Sequence, residues 1–132
     1  MSTMPAKIVH VSIDRPWLEV YGFAGRPENM PLWASGLTSG LEQDGEEWVT
    51  KGILGSARIR FTLRNDFGVI DHTVILESGL QVYNALRVVP NGDGCEVIFT
   101  LLRLPGMTDE QFAADTAHVL KDLNTLKALM ER

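Results

Sequence analysis

The sequence predicts an α+β fold: a curved antiparallel sheet of six to seven strands wrapped around one long C-terminal helix, with two short helices after the first strand. Three observations predict it. From residue 46 to 103 apolar residues recur with period two, and short glycine-containing turns interrupt them, the pattern of an antiparallel meander. From Phe112 to Met130 the period becomes that of an amphipathic helix about five turns long. Only that helix is long enough to cover the apolar face of such a sheet.

The elements follow in order. "KIVHVSI", residues 7–13, places Val9, Val11 and Ile13 on one face and His10 and Ser12 on the other, a half-buried strand. "DRP" ends it, and Asp14 is placed to cap a helix with Pro16 in its first turn. "PWLEVYGFA" then carries Trp17, Val20, Tyr21 and Ala24 on one helical stripe. "RPENMPLWASGL" predicts a second short helix, started at Pro27 and kept short by Pro31. The meander runs through "EEWVTKGIL", "SARIRFTLRN", "VIDHTVILE", "QVYNALRVV" and "CEVIFTLLR". "PGMTDEQF" starts the last helix, with Thr108 and Gln111 spaced as in a capping box. Its apolar stripe is Phe112, Thr116, Val119, Leu120, Leu123, Leu126 and Met130, interrupted by Lys127, whose stem can lie along apolar surface. The opposite face, with Asp115, His118, Lys121, Asp122 and Asn124, is expected in solvent.

Composition narrows the function classes. The 132 residues, 45% hydrophobic and 22% charged, fit one globular domain over residues 1–132. A net charge of −5 argues against nucleic acid or an anionic membrane as partner. No run approaches the length of a membrane span and no signal peptide is read, so the expected location is cytoplasmic. Cys95 is the lone cysteine, which excludes an internal disulfide and leaves it without a nearby histidine to activate it. Phosphate-loop, dinucleotide and serine-hydrolase motifs do not occur. Asp115, His118 and Asp122 share a helical face, but ligands spread over two turns of one helix converge poorly on an ion. No metal and no cofactor is expected.

The stretches "VSIDRPWLEVYGFAGRPENMPLW", "FGVIDH", "LRVVPNGDGCEVIFTLLR" and "PGMTDEQFAADTAHVLKDLNTLK" resemble the START-like, Bet v 1-like (SRPBCC) superfamily, in its polyketide cyclase/dehydrase-like branch. The resemblance covers nearly the whole chain. It implies the helix-grip fold and a cavity for a hydrophobic ligand between the sheet and the closing helix. Members bind lipids, steroids, hormones and polyketides, and some are cyclases or aromatases. They share no single catalytic motif, so the resemblance transfers a fold and a cavity but no catalytic residue.

The candidate site centres on "VIDHTVIL". Successive strand residues face opposite ways, so Asp71 and His72 cannot form a side-chain dyad on a regular strand. A hairpin centred on Gly79 sets Asp71 opposite Arg87 and His72 opposite Leu86. A two-residue "FG" turn sets Arg64 opposite Asp71 and brings Phe61 and Leu63 onto the His72 face. His72 reads either as a polar group in the cavity, orienting a ligand or acting as general base, or as a core histidine bonded to backbone or to Asn84. Asp71–Arg87 reads either as a polar pair in the pocket or as a surface ion pair on the other face. Arg58, Arg60 and Arg64 read as a solvated face.

The expected cavity wall comprises Trp33, Trp48, Phe61, Leu63, His72, Val74, Asn84, Leu86, Phe99 and Leu123. Few titratable groups share it, whereas catalysis needs an acid–base group and something to orient it. Binding of a small hydrophobic or aromatic molecule is therefore the leading expectation. A polyketide cyclase or dehydratase using His72 as base is the alternative. Ile75, Tyr83 and Val89 on the other sheet face mark a surface for a homodimer.

Overall fold

The structure is a computed structural model, and it describes residues 2–52 and 55–132. Met1, Ile53 and Leu54 fall outside the described residues, and with the last two the end of the run "EEWVTKGIL". The strands are β1 (Ala6–Ile13), β2 (Glu42–Asp44), β3 (Glu47–Gly52), β4 (Gly55–Phe61), β5 (His72–Leu76), β6 (Gln81–Asn91) and β7 (Gly94–Leu102). Helix α1 spans Trp17–Ala24, and α2 spans Asp109–Met130. Two 3-10 helices, Pro27–Leu32 and Ser35–Leu37, stand where the second short helix is predicted.

The strands form one antiparallel sheet in the order β1-β7-β6-β5-β4-β3-β2. Its inner face and α2 enclose the core. Val9, Val11 and Ile13 of β1, Leu86 and Val88 of β6, Val97 of β7, and Leu123 and Leu126 of α2 are all buried. The capping box forms: Thr108 Oγ accepts the Gln111 N–H at 3.1 Å and Gln111 Oε1 accepts the Thr108 N–H at 2.9 Å. Lys127 reaches out of the apolar stripe and donates to the Ser12 carbonyl and to Glu131. Its ammonium thus ties the end of α2 to β1.

Four expectations need correction. Asp14 does not cap α1; Pro16 is itself the N-cap residue and no side chain caps the helix. Leu120 is exposed, and the buried positions of α2 include Asp122. The two hairpin registers each differ by two residues from those expected. The β5–β6 loop closes through Leu76 N–H to Leu80 C=O, centring the hairpin on Ser78, so His72 pairs with Asn84 instead of Leu86. Phe61 pairs with His72, because β4 ends at Phe61 and β5 begins only at His72.

Between them runs a loop in place of a two-residue turn, and Asn65 organises it. Its Oδ1 accepts the N–H groups of Phe67 and Val69, and its Nδ2 donates to the carbonyls of Leu63 and Val69. Side-chain bonds of this kind offer the backbone an alternative to the ladder. Gly68 then passes against β6 at φ 70°, and a Cβ there would stand 2.1 Å from the Val88 carbonyl oxygen. A shift of two residues preserves every facing. The predicted faces therefore survive the wrong registers, whereas Leu63, beyond the end of β4, leaves the sheet and is 87% exposed.

Candidate functional site

A cavity of about 210 Å³ lies between the sheet, α2 and the 3-10 helices. From the sheet, Ile59, His72, Val74, Asn84, Leu86 and Phe99 wall it. Leu123 and Val119 of α2 face them, and Trp33 and Met30 close one side. Seven of the ten predicted wall residues are thus brought together: Trp33, His72, Val74, Asn84, Leu86, Phe99 and Leu123. Three are not. Trp48 pairs with Ile59 across β3 and β4 but is not part of the wall. Phe61 packs its ring on His72, centroids 5.4 Å apart, and walls a neighbouring cleft. Leu63 is in solvent for the reason given above.

His72 has a defined tautomer. Its Nδ1 lies 3.0 Å from the Ile70 carbonyl oxygen. A carbonyl only accepts, so Nδ1 carries the hydrogen and the neutral ring leaves Nε2 as an acceptor. Nε2 sits 3.4 Å from Nδ2 of Asn84, another wall residue. Burial holds the imidazole below its ordinary pKa, and the Ile70 bond and the Asp71 charge offset this only in part.

Asp71 faces away from this ring, as strand alternation requires. It is nevertheless buried, at 1% exposure. Its carboxylate accepts the Leu86 backbone N–H at 2.9 Å, the Arg87 guanidinium at 2.9 Å and the Tyr83 hydroxyl at 2.5 Å. In a regular ladder of this register the Leu86 N–H would bond the Ile70 carbonyl. Here the carboxylate takes that donor, and the carbonyl is left for His72. Asp71 and His72 are thus coupled through the backbone of one strand. Burial alone would raise the Asp71 pKa, but the bonds from Arg87, Tyr83 and Leu86 outweigh it and hold the carboxyl below its usual value. The Asp71–Arg87 pair lies outside the cavity wall, on the outer face of the sheet.

Two titratable wall residues were expected in solvent. Asp122 is buried, and its Oδ1 accepts the Ser35 N–H at 3.1 Å and the Ser35 hydroxyl at 2.8 Å. His118 Nε2 stands 3.1 Å from Ser35 Oγ and 3.4 Å from Asp122 Oδ2. Serine, histidine and aspartate meet, but not as a nucleophilic triad. The serine proton goes to the carboxylate, and both partners approach the same ring nitrogen. The cluster instead fastens the second 3-10 helix to α2. Asp122 lies beside Leu123 at the edge of the apolar stripe, the one signal the sequence offers; its partner is 87 residues away.

Trp33 contributes a further polar group: its Nε1–H is buried with no acceptor among the described residues. Cys95 is buried and its thiol is pushed up to about 11 by that burial, an inert environment. Among the described residues no cluster of three metal-ligating side chains occurs, and no helix is long and apolar enough to cross a membrane.

No protein-family model and no curated protein sequence matches the chain. Solved structures do. The chain is similar to the Aha1 dimer from Colwellia psychrerythraea, with 15% identity, a TM-score of 0.76 and 97% of each chain covered. It is similar to Ara h 8.0201, with 9% identity and a TM-score of 0.69 over 96% of this chain and 97% of that one. It is also similar to DynU16, a protein of the dynemicin biosynthetic locus, with 16% identity and a TM-score of 0.70, over 96% of this chain and 47% of that one. At these identities the likeness is one of fold. The seven-stranded antiparallel sheet closed by a long C-terminal helix is the helix-grip arrangement, and this chain shares that fold with these structures.

Proposed function

We propose that the protein binds a small aromatic or apolar molecule, one or two rings in size, in the cavity between sheet and α2. The observation that carries this reading is the cavity itself: about 210 Å³, walled mainly by apolar side chains, with His72 and Asn84 as a polar pair on the sheet side. An apolar cavity of about 150 Å³ admits benzene, while sites for drug-sized ligands run to roughly 300–1,000 Å³. The volume suits a small ring and is too small for a fused polyketide. Nε2 of His72 supplies an acceptor for a hydroxyl or N–H on that ring. The resemblance to a superfamily of hydrophobic-ligand binders supports the same reading.

Calorimetry and NMR titration with toluene, phenol and indole test it. At least one should bind, with shift changes at Val74, Leu86 and Leu123. Val74→Phe, which fills part of the cavity, should weaken binding about tenfold or more. Failure of every one- and two-ring compound to bind would remove the proposal.

A second reading, a cyclase- or dehydratase-like enzyme, is favoured by the unprotonated Nε2 of a neutral His72, held only by a long contact to Asn84, with Asp122 and His118 across the same cavity. The resemblance to the polyketide cyclase branch points the same way. Against it, Asp122 is committed to Ser35, and among the described residues the partners of the His72 ring are the Ile70 carbonyl and Asn84, not a carboxylate. Product formation, measured beside affinity on the same compounds, separates the two. A general base at position 72 requires turnover that falls roughly 10²–10⁴-fold in His72→Phe while binding persists.

A homodimer is proposed through the outer sheet face, which exposes Ile8 and Tyr83. The structural relative Aha1 is itself described as a dimer.

A further inference from the structure

A second cleft, of about 420 Å³, lies next to the cavity on the far side of Phe61. Two elements form it. One is the end of α1 and its turn into the first 3-10 helix, which contribute Tyr21, Arg26 and Pro27; the other is the segment 61–70, which contributes Phe61, Arg64 and Ile70. The protein is acidic, with a net charge of −5, yet among the described residues no acidic one lines this cleft.

Its two arginines differ from all of the chain's other arginines but Arg132. Arg58, Arg60, Arg87 and Arg103 each pair with a carboxylate. Arg15 donates to the carbonyls of Met130 and Arg132. Arg26 and Arg64 have no carboxylate at ion-pairing distance among the described residues, and both line the same cleft. Separate elements thus supply two guanidiniums to one cleft, and no carboxylate among the described residues neutralises either of them.

The scaffold around them is fixed. Arg26 precedes Pro27, which holds its backbone extended at φ −88° and ψ 118°, and its carbonyl accepts the Asn29 N–H. The Arg64 guanidinium lies 4.7 Å from the centre of the Tyr21 ring, a cation–π contact that limits its freedom. The Tyr21 hydroxyl accepts the Asn65 N–H at 2.9 Å, fastening the loop to α1. Pro27, Phe61, Val69 and Ile70 supply apolar wall beside the charges.

We propose that this cleft is a binding site for a small organic anion, a carboxylate or phosphate ester on an apolar or aromatic body, held by Arg26 and Arg64 with its body against Phe61 and Ile70. The site is separate from the cavity of His72 and does not depend on what that cavity holds. Guanidinium pairs match both anion types by paired N–H bonds, and the apolar wall selects against a bare inorganic ion.

The test is an NMR titration of the whole chain with phenylacetate, phenylacetamide, phenyl phosphate and inorganic phosphate, at low and high salt. Phenylacetate, phenyl phosphate or both should bind, shifting Tyr21, Phe61 and Val69 and leaving Leu123 unmoved. Which of the two binds assigns the anion. Affinity should fall several-fold with added salt, and about three- to tenfold in Arg26→Gln and in Arg64→Gln. Arg26→Lys should restore part of the loss. Both arginine side chains are exposed, so the Gln variants should fold, and their unchanged melting temperature checks this. Binding of phenylacetamide as tight as that of phenylacetate would overturn the proposal. So would binding by inorganic phosphate alone, shifts confined to the His72 cavity, or no binding by either organic anion.

Discussion

Adjacent residues Asp71 and His72 share one strand and serve opposite faces, and each makes its own pH prediction. His72 is held below its ordinary pKa by burial. Between that depressed value and about 6.5 the unfolded chain binds more protons than the folded one. Stability is therefore full above about pH 6.5 and falls as pH drops toward the folded value. The wild type should lose stability to urea between pH 7 and 5, and His72→Gln should lose less; parallel curves would contradict a buried neutral imidazole. The Asp71 pKa is lowered too, because the bonds from Arg87, Tyr83 and Leu86 outweigh burial, so its stability also falls with falling pH but at a more acidic point. Its contribution is present above about pH 3.9 and is lost as pH falls through the folded value. At neutral pH Asp71→Ala strands the buried Leu86 N–H as well as breaking bonds to Arg87 and Tyr83. It should cost about 3 kcal/mol, against roughly 1 kcal/mol or less for Arg87→Ala at the exposed end of the pair. Equal losses in the two variants would show that the ion pair, rather than the backbone bond, is what Asp71 supplies.

Element by element, period and facing were legible in the sequence and the ends of strands were not. β1, α2 and its capping box stand where periodicity and the Thr108–Gln111 spacing put them. The inner face of the sheet was readable because alternation survives a register error of two. What failed depended on bonds between residues distant in sequence or on side chains competing with the ladder. Asn65 diverts the chain at the end of β4, which moves Leu63 into solvent and Phe61 to the neighbouring cleft. Asp122 finds Ser35 across the fold, which brings an acid read as solvated into the cavity wall. That last contact makes an element-scale prediction. Asp122→Ala removes the acceptor for the Ser35 N–H and hydroxyl and should cost about 1–3 kcal/mol. It should also speed hydrogen exchange at Ser35 and in the 3-10 helix that follows. Asp122→Asn keeps one acceptor oxygen and should lose less. Unchanged exchange at Ser35 in the alanine variant would mean that packing of Trp33 and Met30, not the carboxylate, holds this segment on α2.

For the whole molecule, the sheet has two faces with different tasks, and self-association tests the outer one. The inner face is consumed by the core and the cavity. The outer face carries charges, including Arg87 and Glu96, but also exposes Ile8 on β1 and Tyr83 on β6. Tyr83 is a poor probe for a dimer, since its hydroxyl holds Asp71; a charge there would disturb the buried carboxylate as well as any interface. Ile8 is free of such a role among the described contacts and is 63% exposed. Ile8→Lys should leave the melting temperature within a few degrees, because an exposed substitution changes stability by only about 0.5 kcal/mol. If two copies meet through this face, light scattering of the wild type should show mass rising toward twice the monomer with concentration, and Ile8→Lys should hold the monomer mass over the same range. A wild type that remains monomeric at every concentration would end the dimer proposal. It would leave both pockets untouched, since neither the cavity at His72 nor the cleft at Arg64 draws a wall residue from the outer face at Ile8.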